Sequence, residues 1–99
     1  MVPALLLALA ASLPTIGITS ACREQARGLP SDQRARAYNA CMQAEQAALT
    51  ELHQKWAQFP VAAKRPCAAL AQTFNSYVEL LVCVEIRAGG VGPQSTNQK

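Results

Sequence analysis

The sequence is poor in the residues on which catalysis and metal binding most often depend. Among its 99 residues there is one histidine, His53, and one aspartate, Asp32. His53 has no histidine or cysteine three or four residues away to complete a metal pair. A Ser-His-Asp triad is not expected, because Asp32 lies about five helical turns from His53 and the serines fall in segments typical of loops and caps. We therefore interpret His53 as a surface residue, and we expect no enzyme activity, no metal and no cofactor.

Two further chemical signatures are absent, a glycine-rich phosphate loop and a Cys-x-x-Cys pair, and the second absence disfavours a dithiol oxidoreductase. The cysteines are separated by 18, 25 and 15 residues, whereas zinc ligands usually lie about two to four residues apart. An even number of cysteines in a short exported chain favours two disulfides. The four are Cys22, Cys41, Cys67 and Cys83. A thiol-active or metal-binding protein is the alternative, and it predicts free thiols.

The first 21 residues are typical of a secretory signal peptide. They contain an apolar core, then Pro14, then the small residues Thr19 and Ala21 spaced for cleavage after Ala21. A retained membrane anchor is the alternative, but it needs about 20 uninterrupted apolar residues, and Pro14 and Gly17 interrupt this run. The sequence therefore predicts a periplasmic or secreted protein.

Cys22 has a second possible meaning. The stretch Ile18-Thr19-Ser20-Ala21-Cys22 loosely resembles the box that precedes a lipid-modified bacterial cysteine. Lipidation of Cys22 would leave three thiols, so one would be unpaired in an oxidising compartment. We keep the lipoprotein as a minor alternative.

A long helix is the clearest structural prediction. No proline or glycine occurs from Ser31 to Phe59, and Ser31 or Asp32 can cap its start. At about 100° per residue one apolar stripe runs along this segment. The stripe consists of Tyr38, Cys41, Glu45, Ala48, Leu49, Leu52, Trp56 and Phe59. Residues 22–30, broken by Gly28 and Pro30, are assigned to a leader loop, with a very short helix as the alternative.

The second half of the chain predicts two shorter helices. Pro60 ends the long helix, and a short helix is expected from about Val61 or Pro66 to Gln72. Ser76 and Glu79 form a capping box, which favours a separate helix over the strand that the apolar run VELLVCVEI also permits. Residues 88–99 are predicted to be a disordered tail. The fold class is thus all-α: a small disulfide-stapled helical hairpin or three-helix domain over residues 31–87, after the signal peptide.

The disulfide pairing follows from the hairpin. If the chain reverses near residue 62, Cys41 and Cys83 lie at equal distances from the turn, about 30 Å along each arm, and are expected to pair. The leftover pair, Cys22 with Cys67, fits less well, because the nine residues before Ser31 reach at most about 30 Å and the long helix is longer than that. Either the leader folds back or the pairing differs.

Three segments together resemble a known group of proteins. The segments are CMQAEQAALTELHQKWAQFP, the cysteine of KRPC, and SYVELLVC. They resemble a group of uncharacterised small exported alphaproteobacterial proteins that keep Glu-Gln-Ala, Trp-x-x-Phe, a following cysteine and Ser-Tyr-Val-Glu-Leu-Leu-x-Cys. The match spans about residues 41–85, and the chain departs from it with Phe74-Asn75 where glycine or proline is expected. The resemblance implies export and a helical, cysteine-linked fold; it implies no activity.

Glu45 breaks the apolar stripe, since a buried carboxylate is costly unless it is paired. The favoured interpretation is that Glu45 reaches solvent or pairs with a local base. The functional interpretation is that Glu45 and Arg34, on the same face, mark a groove for a partner. Trp56 is a further possible contact, although core packing of Trp56 and Phe59 is favoured over an exposed aromatic patch.

The net charge of +3 is spread thinly along the chain. The one adjacent basic pair of the mature region, Lys64-Arg65, is too small a cluster to predict nucleic-acid binding, and export argues against it. We therefore expect a non-enzymatic exported protein that works by contact with an envelope or extracellular protein. A cationic protein that binds anionic membranes or cell walls is the alternative.

Overall fold

The computed structural model describes residues 12–89, which fold into four α-helices. They are α1 (Ile18–Arg27), α2 (Ser31–Lys55), α3 (Val61–Phe74) and α4 (Tyr77–Arg87), with a 3-10 turn at Trp56–Gln58 between α2 and α3. The part of the chain that the structure describes contains no strand, so the all-α prediction is confirmed and the strand alternative for the last segment is wrong. Residues 1–11 of the expected signal peptide and residues 90–99 of the expected tail lie outside the described residues.

Helix α1 covers residues 22–27 of the predicted leader and residues 18–21 of the expected signal peptide, so the leader loop is corrected to the short helix that was its alternative. No proline or glycine lies between Gly17 and Gly28, so nothing interrupts a helix there. Cys22 and Ala26, one turn apart, form its buried face. Gly28 follows the helix directly, and only residues 28–30 remain as a connection to α2.

Helix α2 confirms the predicted long helix. Glu45, Ala48 and Leu52 of the predicted stripe are buried along it, and Trp56 is buried just beyond its end. Its start differs from the prediction, because Pro30 occupies the cap position and no side chain caps the helix. The Pro30 carbonyl accepts from the amide of Gln33 instead, at 2.9 Å.

Helices α3 and α4 are joined by a tight turn at Asn75 and Ser76. Helix α3 begins at Val61, so Pro66 lies inside it and gives up one helical hydrogen bond. Asn75 ends α3 in the left-handed conformation, with φ of 54°. Asparagine is among the few residues besides glycine that adopt it readily, which explains how Phe74-Asn75 can stand where glycine was expected.

Ser76 caps α4 as predicted, because its hydroxyl accepts from the amide of Glu79 at 3.2 Å. In a capping box the Glu79 side chain would also accept from the Ser76 amide, but that amide has another partner here. The amide of Ser76 donates to the carbonyl of Ala71, at 3.3 Å, in the manner of a left-handed helix end. The start of α4 was therefore predicted correctly, while the partner of the Ser76 amide was not.

Helix α4 runs parallel to α2 and packs against both α2 and α3. The first residue of α4, Tyr77, contacts Glu45, and Glu85 near its end contacts Lys55, with 3.0 Å between carboxylate and amine. Lys55 also pairs with Glu51, with 2.6 Å between the amine and the carboxylate. The hydrogen bond to Glu51, and to a smaller extent the one to Glu85, raises the pKa of the Lys55 amine. Helix α1 packs against α2, and α3 packs against α4.

The core lies where α2, α3 and α4 meet. Its buried members are Ile16, Ala48, Leu52, Trp56, Cys67, Ala71, Tyr77, Leu80 and Val84. Ile16 precedes the first helix, so the segment before α1 contributes to the same core as the last helix. Burial of these side chains supplies the main favourable term in folding.

The disulfides are Cys22–Cys41 and Cys67–Cys83, with Cα atoms 5.5 and 5.6 Å apart. Two disulfides were predicted, but the preferred pairing of Cys41 with Cys83, and of Cys22 with Cys67, is wrong. The prediction assumed one reversal of the chain, whereas two reversals make α4 parallel to α2. Cys83 then lies beside the last third of α2, about 15 Å along the axis from Cys41. Cys41 faces α1 instead, and its sulfur is bonded to that of Cys22.

Candidate partner-binding groove

A groove with a cationic rim lies between α1 and α2. Its volume is about 560 Å³. We call it the arginine groove, and its lining consists of Arg23, Ala26, Arg27, Arg34, Ala35 and Tyr38.

Helical spacing places these side chains together. Arg23 and Arg27 are four residues apart on α1, as are Arg34 and Tyr38 on α2, so each pair lies on one face of its helix. The Cys22–Cys41 disulfide joins the two helices beside the groove. The walls are therefore covalently fixed relative to each other, which lowers the entropy cost of ordering them around a ligand.

The electrostatics of the arginine groove favour an anion. Arg27 pairs with Glu24 at 2.9 Å, and both side chains are largely exposed, so the pair is weak. The Nε of Arg34 donates to the carbonyl of Leu29 at 2.9 Å, which holds that guanidinium at the groove. The groove thus has three guanidinium groups, and the carboxylate of Glu24 neutralises one of them, so the groove carries an excess of positive charge. Arginine is suited to two-pronged hydrogen bonding with carboxylate or phosphate.

Of the three residues predicted to contact a partner, Arg34 lies at the arginine groove. Neither Glu45 nor Trp56 is part of that lining among the described residues. The structure thus does not bring the three together in one groove. A partner contact for Glu45 or Trp56 stays a prediction.

Glu45 bonds to the start of α4 instead of reaching solvent or a local base, so that favoured interpretation is corrected. The side chain is 5% exposed. Its carboxylate accepts from the Ser76 hydroxyl at 2.7 Å, the Tyr77 amide at 2.5 Å and the Val78 amide at 3.3 Å. The first amides of a helix have no partner within the helix and carry partial positive charge, so a carboxylate there is favourable. Glu45 is a cap supplied by a different helix.

Trp56 packs in the core, as the favoured interpretation expected. It is 9% exposed and meets Phe59 edge to face, with 6.4 Å between ring centroids. The amine of Lys64 lies 5.2 Å from the centroid of the indole ring, within the range of a cation–π contact. This arrangement connects the end of α2 to the start of α3.

Sequence reasoning missed Arg23 and Arg27 as groove residues. Their shared face exists only if residues 18–27 are helical. Residues 18–21 were assigned to the signal peptide, and residues 22–30 to a leader loop with a very short helix as the alternative. The pairs Cys22/Ala26 and Arg23/Arg27, each four apart, carry the signal that could have identified an amphipathic helix.

All four cysteines are in disulfides. Residues 12–89 contain no cluster of three or more metal-ligating side chains, and no helix among them is long and apolar enough to span a membrane. Comparisons with protein-family models, with curated proteins and with solved structures find no match to this chain.

Proposed function

We propose that the protein is exported to the periplasm or the outside of the cell, and that it acts without catalysis by binding another protein through the arginine groove. The observation that carries this proposal is the set of three guanidinium groups around an apolar floor, on two helices joined by a disulfide. Two disulfides in so small a chain support export, because thiols stay reduced in most cytosolic proteins. The resemblance to small exported alphaproteobacterial proteins points the same way and stays a prediction.

The chemistry of the arginine groove favours an acidic peptide segment. Guanidinium groups at the rim fit aspartate or glutamate side chains, while Ala26, Ala35 and the ring of Tyr38 provide apolar surface for a side chain between them. Arginine and tyrosine are both enriched among the residues that dominate binding energy at protein interfaces. The partner is therefore expected to present an apolar side chain flanked by carboxylates, and binding is expected to weaken as salt is raised.

The groove is tested with a short synthetic peptide in which glutamates flank a leucine. Binding is followed through the amide signals of Ala26, Ala35 and Tyr38 in NMR spectra. We expect Arg23→Glu with Arg34→Glu to weaken binding by about tenfold or more, because attraction becomes repulsion. Arg65→Glu with Arg87→Glu is the matched control, since both positions are exposed and the charge change is the same. Its effect is expected to stay within about twofold.

Three results would contradict this function. No shift at the groove signals would remove the groove as a peptide site. Equal weakening by the two double variants would leave only net charge as the cause. Binding to phosphatidylglycerol vesicles but not to the peptide would favour the cationic membrane-binding protein instead, a hypothesis that rests on the net charge of +3.

Export is tested separately, by alkylating thiols in the periplasmic fraction without reductant. Free thiols there would favour the thiol-active or metal-binding alternative.

A further inference from the structure

Helices α3 and α4 share an apolar surface on the side that faces away from the core. Cys67 and Cys83 lie on the line where the two antiparallel helices meet. Ala71 and Leu80, on one side of this line, belong to the core. At about 100° per residue, the position three beyond each cysteine turns to the other side. This side carries four large apolar side chains that are 48% to 54% exposed, which we call the apolar patch: Leu70, Phe74, Val82 and Ile86.

Two carboxylates flank the part of the apolar patch that lies on α4. Glu79 and Glu85 are three residues before and after Val82, so helical spacing places one on each side of it. Glu79 is exposed, and among residues 12–89 no ion pair involves it. Glu85 pairs with Lys55, and its side chain is 30% exposed. Helix α4 thus presents an apolar side chain flanked by carboxylates, which is the chemistry that the arginine groove favours in a partner.

The arginine groove complements this face of α4 in charge and in polarity. The groove carries three guanidinium groups, one of them neutralised by Glu24, and Ala26 and Ala35 provide apolar surface between them. Guanidinium and carboxylate groups form strong, charge-assisted hydrogen bonds. Contact would also remove Val82 and Ile86 from water, and exposed apolar patches rimmed by polar residues are typical of protein interaction sites.

The apolar patch cannot fill the groove of its own chain. The groove uses Arg34 and Tyr38, near the start of α2. Helix α4 begins beside Glu45 and ends beside Lys55, so it runs along α2 away from the groove. Tyr38 and Glu45 are already about 10 Å apart along the axis of α2, and the patch faces away from the core. The face of α4 that fits the groove must therefore come from a second copy.

We propose that the partner of the arginine groove is a second copy of this chain, whose exposed face of α4, from Glu79 to Ile86, docks between α1 and α2. This inference rests on the proposed function and names the partner of that site. The two contacting surfaces differ, so the contact is heterologous: one copy keeps a free groove and the other a free patch. Further copies can therefore add until a ring closes. The surfaces are small, which is typical of weak and transient contacts.

Self-association is measured by sedimentation equilibrium of the protein with both disulfides formed. Over a range from about 10 μM to 1 mM, where weak contacts become populated, we expect the average mass to rise above that of one chain. The dissociation constant is expected to increase about fivefold or more when salt is raised from about 50 to 500 mM, because salt screens the attraction between exposed charges.

Two double variants test the two surfaces separately. The groove variant is Arg23→Glu with Arg34→Glu, and the patch variant is Val82→Arg with Ile86→Arg. Each is expected to weaken self-association about tenfold or more, because like charges then face each other across the contact. Gln54→Arg with Gln72→Arg is the matched control for the patch variant: both positions are exposed, the charge change is the same, and an effect within about twofold is expected.

Mixing the two variants tests the head-to-tail arrangement. The groove variant keeps an intact patch, and the patch variant keeps an intact groove. An equimolar mixture is therefore expected to recover association to within about threefold of the unmodified protein, although neither variant associates alone. No recovery in the mixture would overturn the inference. Undiminished self-association of the groove variant would overturn it too, since two copies would then meet through their apolar patches.

NMR spectra of the unmodified protein give a second measurement that needs no variant. On dilution, we expect the amide signals of Ala26 and Ala35 in the groove to shift together with those of Val82 and Ile86. Shifts at the patch alone overturn the inference. A protein that stays monomeric to about 1 mM, while the glutamate-leucine peptide still shifts the groove signals, overturns the inference and leaves the proposed function in place. A monomer whose groove signals do not respond to the peptide overturns both.

Discussion

Replacing Glu45 by leucine is expected to lower the free energy of unfolding by about 3 kcal/mol, which corresponds to a fall in Tm of about 15 °C for a domain of this size. Leucine would suit the apolar stripe of α2, but it cannot accept from the donors at the start of α4. The buried Ser76 hydroxyl and the Tyr77 and Val78 amides would lose their carboxylate. The loss of these bonds outweighs the gain from apolar burial. Urea denaturation gives the free energy, and calorimetry gives the Tm.

Two further variants separate the hydrogen bonds from the general effect of a leucine on α2. Glu45→Gln keeps an acceptor oxygen but removes the charge, and about half of the loss is expected. Gln43→Leu, on the exposed face of the same helix, is expected to change the free energy by less than about 0.5 kcal/mol. An unchanged or higher Tm for Glu45→Leu would mean that the cap contributes nothing to stability.

Replacing Cys67 and Cys83 together by alanine is expected to cost about 3 kcal/mol. The two cysteines are 16 residues apart, and in the chain-entropy description a crosslink of this span restricts the unfolded chain by about that amount. Helix α3 packs mainly on α4, so the crosslink holds α3 at the domain. Hydrogen exchange is expected to rise most along α3, which chemical denaturation and mass spectrometry can follow together.

The same variant tests the pairing. With Cys22 bonded to Cys41, the oxidised double variant is expected to show no free thiol. The pairing that the sequence favoured would leave Cys22 and Cys41 both unpaired, so two reactive thiols would contradict the structure. The corresponding variant Cys22→Ala with Cys41→Ala is the matched control. It is expected to loosen α1 and to leave the exchange of α3 unchanged.

Local signals were enough to predict where α2, α3 and α4 lie. The absence of proline and glycine defined α2, and Ser76 with Glu79 identified the start of α4, because capping is decided within one turn. The direction of α4 could not be predicted in the same way. Its side chains are apolar on nearly every face, with Val82 and Ile86 about half exposed, so periodicity does not select the packed face. The contact that orients α4 joins residues 31 to 33 positions apart, Glu45 with Ser76, Tyr77 and Val78.

The wrong disulfide pairing and the failure to predict Arg23 and Arg27 as groove residues have separate causes. The pairing was inferred from a single hairpin, and an antiparallel α4 would have brought Cys83 to Cys41. The groove needed α1, whose helical pattern is only about ten residues long and contains no side-chain cap. Arg34 could be identified because α2 was predicted correctly. Its companions on α1 could not, since a helix that short is stable mainly through packing on α2.

The connectivity of the disulfides has a consequence for the order of oxidation. Each cysteine pairs with its neighbour in sequence, the first with the second and the third with the fourth, and each bond spans fewer than 20 residues. A chain that enters an oxidising compartment with its N-terminus first can therefore form Cys22–Cys41 before Cys67 arrives. Both bonds can close in vectorial sequence, without a non-native bond that an isomerase must later exchange.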